Sequence, residues 1–278
     1  MDSKKIIYDV GAHKGDDSFY YLKRGFRVVA FECAPSNINY LKKRFTHEIK
    51  NRDFILEEKA VTSGGGNGNF IDFFVDDDSE WGTVHSKWAS RNVRLGSSQK
   101  ITSVETIDPP TIYSIYGLPH YMKIDIEGSD IDALTSLFTL KEDERPKFVS
   151  LESNKTSFKD LQEELSILVH LGYTKFAAIN QERIQKKSRW ISDAGEEIYH
   201  NHKIGSSGPF GIDLNVKWKT QKAIQRQYAR IFIGYKLFGD DGLLAPRKLR
   251  NKLIIKIYSK LLYILHLSPG WYDTHATK

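Results

Sequence analysis

Tyr8-Asp9-Val10-Gly11-Ala12-His13-Lys14-Gly15-Asp16-Asp17-Ser18, followed by Phe31-Glu32, decides the fold of this chain. The stretch predicts a strand, a glycine turn, a helix, and a second strand that ends in an acid. Such an order builds a binding crevice at the carboxyl ends of parallel strands. Glu32 follows Asp9 by 23 residues, close to the spacing of an acid that hydrogen-bonds ribose hydroxyls. The alternative is a plain glycine turn in an α/β fold that holds no cofactor.

The glycines also discriminate between cofactors. A dinucleotide fingerprint needs G-x-G-x-x-G so that a pyrophosphate can sit on a helix N-terminus. Here only Gly11 and Gly15 are present, and His13 and Asp16 stand where further glycines would be needed. Asp16 and Asp17 suit the helix dipole but repel phosphate. A cofactor with a ribose, an amino group and a cationic sulfur fits better, and S-adenosylmethionine is such a molecule.

Outward from this stretch, the pattern predicts strands at Ile6–Val10, Arg27–Phe31, 54–61, 70–75, 121–126, 147–151 and 173–179. Helices are expected at 17–24, 35–45, 130–140 and 158–171, with Gly25 and Gly172 closing two of them. The alternation implies a doubly wound, mostly parallel sheet. The glycine-rich run 63–69 reads as a turn between two antiparallel strands. Residues 76–98 and 181–217 read as irregular segments. Their Trp81, His85, Trp88, Trp190 and Trp218 either line an acceptor pocket or fill a satellite core. Asp108-Pro109-Pro110-Thr111 reads as a proline-rich turn; the acid-Pro-Pro-aromatic signature of nucleic-acid amino methylation would follow the strand at 121–126 instead.

A second acidic motif is Lys123-Ile124-Asp125-Ile126-Glu127-Gly128. Strand periodicity puts Lys123, Asp125 and Glu127 on one side. Charges in an apolar strand are costly to bury without partners, so they are expected to face the crevice. Glu152, one strand over, joins them. Together Asp125, Glu127 and Glu152 offer hard oxygen ligands, so a divalent metal is possible there but not favoured. His120 and His275 are lesser candidates for a base.

Hydrophobic residues make up 40% of the 278-residue chain and charged ones 27%, as in one ordinary globular domain or one domain with an extension. Cys33 is the one cysteine, which excludes an intrachain disulfide. The first motif begins at residue 9, leaving no room for a signal peptide, and there is no apolar run of about 18 residues to span a bilayer. The expected location is cytoplasmic, at most peripheral at the inner face of a membrane. The net charge of +6 resides entirely in residues 246–278, where seven cations stand against Asp273. Lys248, Lys252, Lys256 and Lys260 form a basic stripe beside Leu249, Leu253, Ile257, Leu261 and Leu265. Such a helix either packs on the domain or touches an anionic membrane surface or nucleic acid. The balanced charge of residues 1–245 argues against nucleic acid as a substrate. The expected organisation is a catalytic domain over 1–215 and a basic helical extension over 216–278.

The chain resembles the FkbM-type methyltransferases. The matching pieces are Asp9-Val10-Gly11-Ala12 with Gly15 and Ser18, Ala30-Phe31-Glu32 with Pro35 and Asn37, and Lys59-Ala60-Val61. Thr106-Ile107-Asp108, Lys123 to Gly128 and Leu151-Glu152 follow in the same order, and Ser206 to Gly211 and Gly270 to Ala276 are similar to segments of some members. His13 stands where asparagine is more usual, and Cys33-Ala34 interrupts the run from Glu32 to a proline. The resemblance covers roughly residues 6–180. It implies a seven-stranded class I methyltransferase fold, S-adenosylmethionine as donor with S-adenosylhomocysteine as product, and a sugar, glycan or small-metabolite hydroxyl as acceptor. Asp9, Gly11, His13, Gly15 and Ser18 are then expected around the methionine moiety, Glu32 on the ribose, and Lys59 and Ala60 beside the adenine. Asp125, Glu127 or Glu152 would orient or deprotonate the acceptor, with Asp125 also near the donor. Other readings are an inactive binding protein on this fold, or a nucleic-acid methyltransferase.

Overall fold

The computed structural model describes residues 4–63, 68–76, 83, 99–126, 128–155, 157–184, 186–192, 195–238, 260, 262, 264, 267 and 270–278. Its strands, in chain order, are β1 (Ile6–Val10), β2 (Arg27–Phe31), β3 (Phe54–Glu57), β4 (Ala60–Val61), β5 (Phe70–Asp76) and β6 (Gln99–Ile107). They continue with β7 (Tyr121–Ile124), β8 (Phe148–Glu152), β9 (Lys175–Asn180), β10 (Lys187–Ile191), β11 (Glu197–Asn201) and β12 (Tyr272–Thr277). Seven of these form one sheet in the order β3-β2-β1-β7-β8-β12-β9, parallel throughout except for β12, which is antiparallel to both neighbours. The fold is therefore α/β and of the class I methyltransferase type.

Side chains along the strands alternate between two cores with the period of the pleat. Tyr8, Val10, Val29, Phe31, Met122 and Ile124 enter one core with the helices Pro109–Tyr116, Asp130–Thr135, Phe158–His170 and Gln221–Phe238. Ile7, Val28, Ala30 and Tyr121 enter the other with the helices Asp16–Lys23 and Pro35–Arg44. Both faces are covered, so the strands read as near-continuous apolar runs. Strand order reverses between β1 and β7, and the crevice outside their carboxyl ends is where such sheets take ligands.

Several expectations need correction. The strand expected over 54–61 is two: β3 stays in the main sheet, whereas β4 leaves it to pair with β6. The turn at 63–69 joins strands of opposite direction that are not partners, because β6 stands between β4 and β5. The strand begun at Tyr121 stops at Ile124, short of Ile126. Asp108-Pro109-Pro110 opens a helix rather than a turn: Asp108 caps it by accepting from the Thr111 N–H at 2.8 Å, and proline suits a first turn whose N–H groups lack intrahelical partners. The helix at 130–140 is a short α-helix continued by a 3-10 turn, Ser136–Thr139. Residues 181–217 contain the hairpin β10–β11. The carboxyl-terminal extension is not wholly helical, because β12 lies inside the main sheet. The basic stripe at 248–256, residues 77–82 and 84–98, and Glu127 lie outside the described residues.

Candidate functional site

A cavity of about 590 Å³ opens at the carboxyl ends of β1, β2, β7 and β8. Gly11, Ala12, His13 and Lys14 from the glycine turn line it, with Glu32, Ala60, Val61 and Phe73 at one side and Asp125, Glu152, Lys155, Gln181 and Trp271 among its other walls. The volume is within the usual range for a small-molecule site, about 300–1,000 Å³.

The glycine turn is held by close backbone approach. Gly11 has φ +83°, and its N–H, like that of Ala12, donates to the Phe31 carbonyl (3.0 and 3.1 Å). A Cβ on Gly11 would lie 1.8 Å from the Asp125 carbonyl oxygen, so β1 and β7 can meet here only through glycine. Gly15 serves a different purpose. A Cβ there would meet the Phe45 ring at 2.5 Å and Leu41 at 2.7 Å, so it seats the helix Asp16–Lys23 on the helix Pro35–Arg44. Gly15 is not among the residues lining the cavity.

Asp9 and Ser18 also lie beneath the cavity rather than in its wall. Asp9, fully buried, accepts from Ser18 Oγ at 2.5 Å and from Lys123 Nζ at 3.1 Å. Lys123 further donates to the Gly11 carbonyl at 2.9 Å and stands 3.7 Å from Asp125. Burial opposes the Lys123 charge, but Asp9, Asp125 and Asp17 outweigh it and hold the ammonium well above its ordinary range. One lysine thus ties the glycine turn to the second acidic motif. Asp130, half-buried, with its pKa raised by desolvation and by Asp125, accepts from the Ile126 and Gly128 N–H groups at 3.1 Å each and fixes the far side of that motif.

Glu32 lines the cavity and is buried. Its Oε2 accepts from the His13 N–H (2.8 Å), and its Oε1 from the Cys33 (2.9 Å) and Ala34 (2.8 Å) N–H groups. Burial raises its pKa against the pull of these donors. Lys59 and Ala60 are both part of the wall, and the Lys59 ammonium is paired with Glu105 at 2.7 Å. Glu152 is paired with Lys155 at 3.0 Å, and desolvation, with Asp125 nearby, holds its pKa up. Next to it across β8–β12 is Asp273, whose buried carboxyl accepts from Gln181 Nε2 at 2.6 Å and is pushed up to about 8 by desolvation and then by Asp125.

Neither candidate histidine is placed as a base. His120 precedes β7 at the amino-terminal end of the sheet, among Phe26, Phe148 and Phe210, and burial pushes it down to about 4. His275 is buried within β12, and desolvation pushes it to about 3. Trp190 packs on Tyr20 (5.9 Å between centroids) under the Arg24 guanidinium, so it fills a satellite core. Trp218 is half-buried and not part of the cavity wall. Among the described residues, no group of three or more His, Cys, Asp or Glu side chains is arranged to hold a metal ion.

One element was not foreseen from the composition of the helix start. Asp17 is buried and accepts from the Ser207 (3.0 Å) and Gly208 (2.9 Å) N–H groups, while Asp16 pairs with Arg44 (2.7 Å) and Lys203 (2.9 Å). These contacts bring Lys203, Ile204, Gly205 and Ser206 into the cavity wall. Desolvation, set against Lys123 and the two N–H donors and reinforced by Asp9, raises Asp17 to about 6. The folded pKa is above the unfolded one, so the protonated carboxyl favours the native state. Its contribution is full below about pH 4 and is lost as pH rises through about 6. The difference is on the order of 3 kcal/mol. Asp17→Asn should therefore flatten the pH dependence of stability between pH 4 and pH 6 relative to the parent, measured by urea titration; parallel curves would count against this ionisation.

The methyltransferase FkbM domain matches residues 9–175, more than half of the chain. The chain belongs to the FkbM methyltransferase family. As an FkbM methyltransferase it is a transferase of methyl groups, and its family and sheet order imply S-adenosylmethionine as donor. No curated protein matches it in sequence. Similar solved structures include the precorrin-6y C5,15-methyltransferase of Geobacter metallireducens GS-15, at 11% identity over 72% of this chain and 77% of that one, with a TM-score of 0.37. An rRNA methylase from Streptococcus thermophilus is 10% identical over 72% of this chain and 86% of that one, with a TM-score of 0.34. The Methanococcus jannaschii fibrillarin pre-rRNA processing protein is 14% identical over 66% and 63%, with a TM-score of 0.37. Among the described residues, no helix is long and apolar enough to cross a membrane.

Proposed function

We propose that this FkbM methyltransferase transfers a methyl group to a hydroxyl of a sugar, glycan or secondary metabolite. The observation that supports this reading best is the uneven lining of the cavity. Glu32, Ala60, Val61 and Phe73 offer a carboxylate and an apolar slot, as a ribose and an adenine require. Asp125, Glu152, Lys155 and Gln181 offer several hydrogen-bonding groups, as a polyhydroxylated acceptor requires.

The residues present suit the donor. The wall carries carboxylates for its ammonium and ribose and lysines, Lys14 and Lys203, for its carboxylate. When bound, S-adenosylmethionine supplies a methyl group already activated on a sulfonium. The work left to the protein is to align the acceptor oxygen, exclude water and receive a proton. Asp125 is the proposed base. It sits just past the end of β7, its backbone N–H donates to the Val10 carbonyl at 2.9 Å, and its side chain is 31% exposed to the cavity. Lys123, at 3.7 Å, holds the carboxylate in place. Glu152 is proposed to accept from a neighbouring acceptor hydroxyl.

Asp125→Asn keeps shape and hydrogen bonding but removes the basicity. Turnover of labelled donor should fall by about 10²–10⁴-fold, the usual worth of a general base. S-adenosylhomocysteine affinity by calorimetry should stay within about threefold. Near-normal turnover would remove Asp125 from the role.

A further inference from the structure

We propose that Trp271 is the stacking platform of a sugar-binding subsite at the acceptor end of the cavity, rimmed by Lys155, Glu152 and Gln181. The indole lines the cavity and is 42% exposed, so apolar ring surface is open to a ligand there. Lys155 Nζ lies over one face of the ring, 5.2 Å from its centroid, and is held by Glu152 at 3.0 Å, so a donor and an acceptor stand together on that face and the sugar is assigned to the other. An apolar face next to convergent polar groups matches the amphipathic character of a pyranose, whose C–H face seeks an aromatic ring and whose hydroxyls seek a rim of charged and amide groups.

The platform is also rigid. The Trp271 carbonyl accepts from the Gln181 N–H at 2.9 Å, and the neighbouring Gly270 carbonyl accepts from Tyr235 Oη at 2.6 Å. Gly270 has φ +153°, and a Cβ there would meet Asn180 Nδ2 at 2.7 Å. On the other side Tyr272 begins β12, locked between β8 and β9. Gln181 is positioned in turn by Asp273, to which its side-chain N–H donates at 2.6 Å. Fixing both the ring and the amide before the ligand arrives reduces the ordering cost of binding.

This inference rests on the acceptor reading above but is tested separately from the donor. The test is saturation-transfer NMR on the full chain with S-adenosylhomocysteine present and a panel of methyl glycosides: a hexoside, a 6-deoxyhexoside and a hexuronoside. The expected result is transfer to the ring protons of at least one glycoside, lost at least tenfold in Trp271→Ala and partly restored in Trp271→Phe. S-adenosylhomocysteine affinity by calorimetry should be unchanged in both variants, which also verifies that they fold. Transfer undiminished in Trp271→Ala, or no glycoside bound by the parent, would overturn the subsite. Loss of S-adenosylhomocysteine binding in the parent would overturn the donor reading instead, and leaves glycoside transfer to decide the platform on its own.

Discussion

Gly11→Ala should slow methyl transfer by about 10²-fold and destabilise the protein by at least about 3 kcal/mol. The added methyl would fall 1.8 Å from the Asp125 carbonyl oxygen, and the backbone there has φ +83°. Left-handed backbone alone costs an L-residue about 1–2 kcal/mol, and steric displacement of a packed strand adds to it. Relief requires β1 and β7 to separate at their carboxyl ends. Asp125 then moves by the order of an ångström, enough to cost about 10²-fold in a positioned reaction. Denaturant unfolding and single-turnover transfer measure the two effects. A fully stable variant with normal turnover would show that the strands do not touch there.

Glu32→Ala is expected to be nearly as severe, for two separable reasons. The carboxylate is the proposed ribose ligand, so S-adenosylhomocysteine affinity should drop by about 100-fold, the loss of two charge-assisted hydrogen bonds. The same oxygens also accept from the N–H groups of His13, Cys33 and Ala34. Removing them leaves buried donors unpaired, at about 1–3 kcal/mol each before relaxation. Glu32→Gln separates the two: its amide oxygen can still receive Cys33 and Ala34, while its NH₂ cannot accept from His13 or hold two hydroxyls. Stability should recover in large part, and donor affinity should not. If both variants bind S-adenosylhomocysteine as the parent does, Glu32 is a turn-forming residue alone.

That double duty shows what could be read from the chain and what could not. The strand-turn-helix at 6–23 and the acid at 32 are legible because the glycine turn, two short apolar strands and the helix start all lie within about thirty residues. Asp125 and Glu152 were legible as charges at the ends of apolar strands. The role of Gly15 was not, because turn glycines look alike until it is known whether a ligand or a neighbouring helix crowds them; here it is Leu41 and Phe45. The capture of Ser207 and Gly208 by Asp17 spans 190 residues and leaves no periodic trace. By sequence Tyr272–Thr277 reads as part of a helical tail because the lysine stripe before it dominates the local pattern, and only pairing with β8 and β9 makes those six residues a strand. Trp271 and Gln181 reach the cavity only through that pairing.

The position of β12 has a consequence for biogenesis. A chain emerging from the ribosome carries β8 and β9 long before residue 272, yet among the described residues β9 has no main-sheet neighbour other than β12. Until those last residues are translated, the edge of β8 stays open and the helix Gln221–Phe238 has an unfinished surface to rest on. Assembly of the right half of the sheet must therefore wait for release of residues 272–277, and a nascent chain halted before them would present an unpaired strand to chaperones or to other copies of itself.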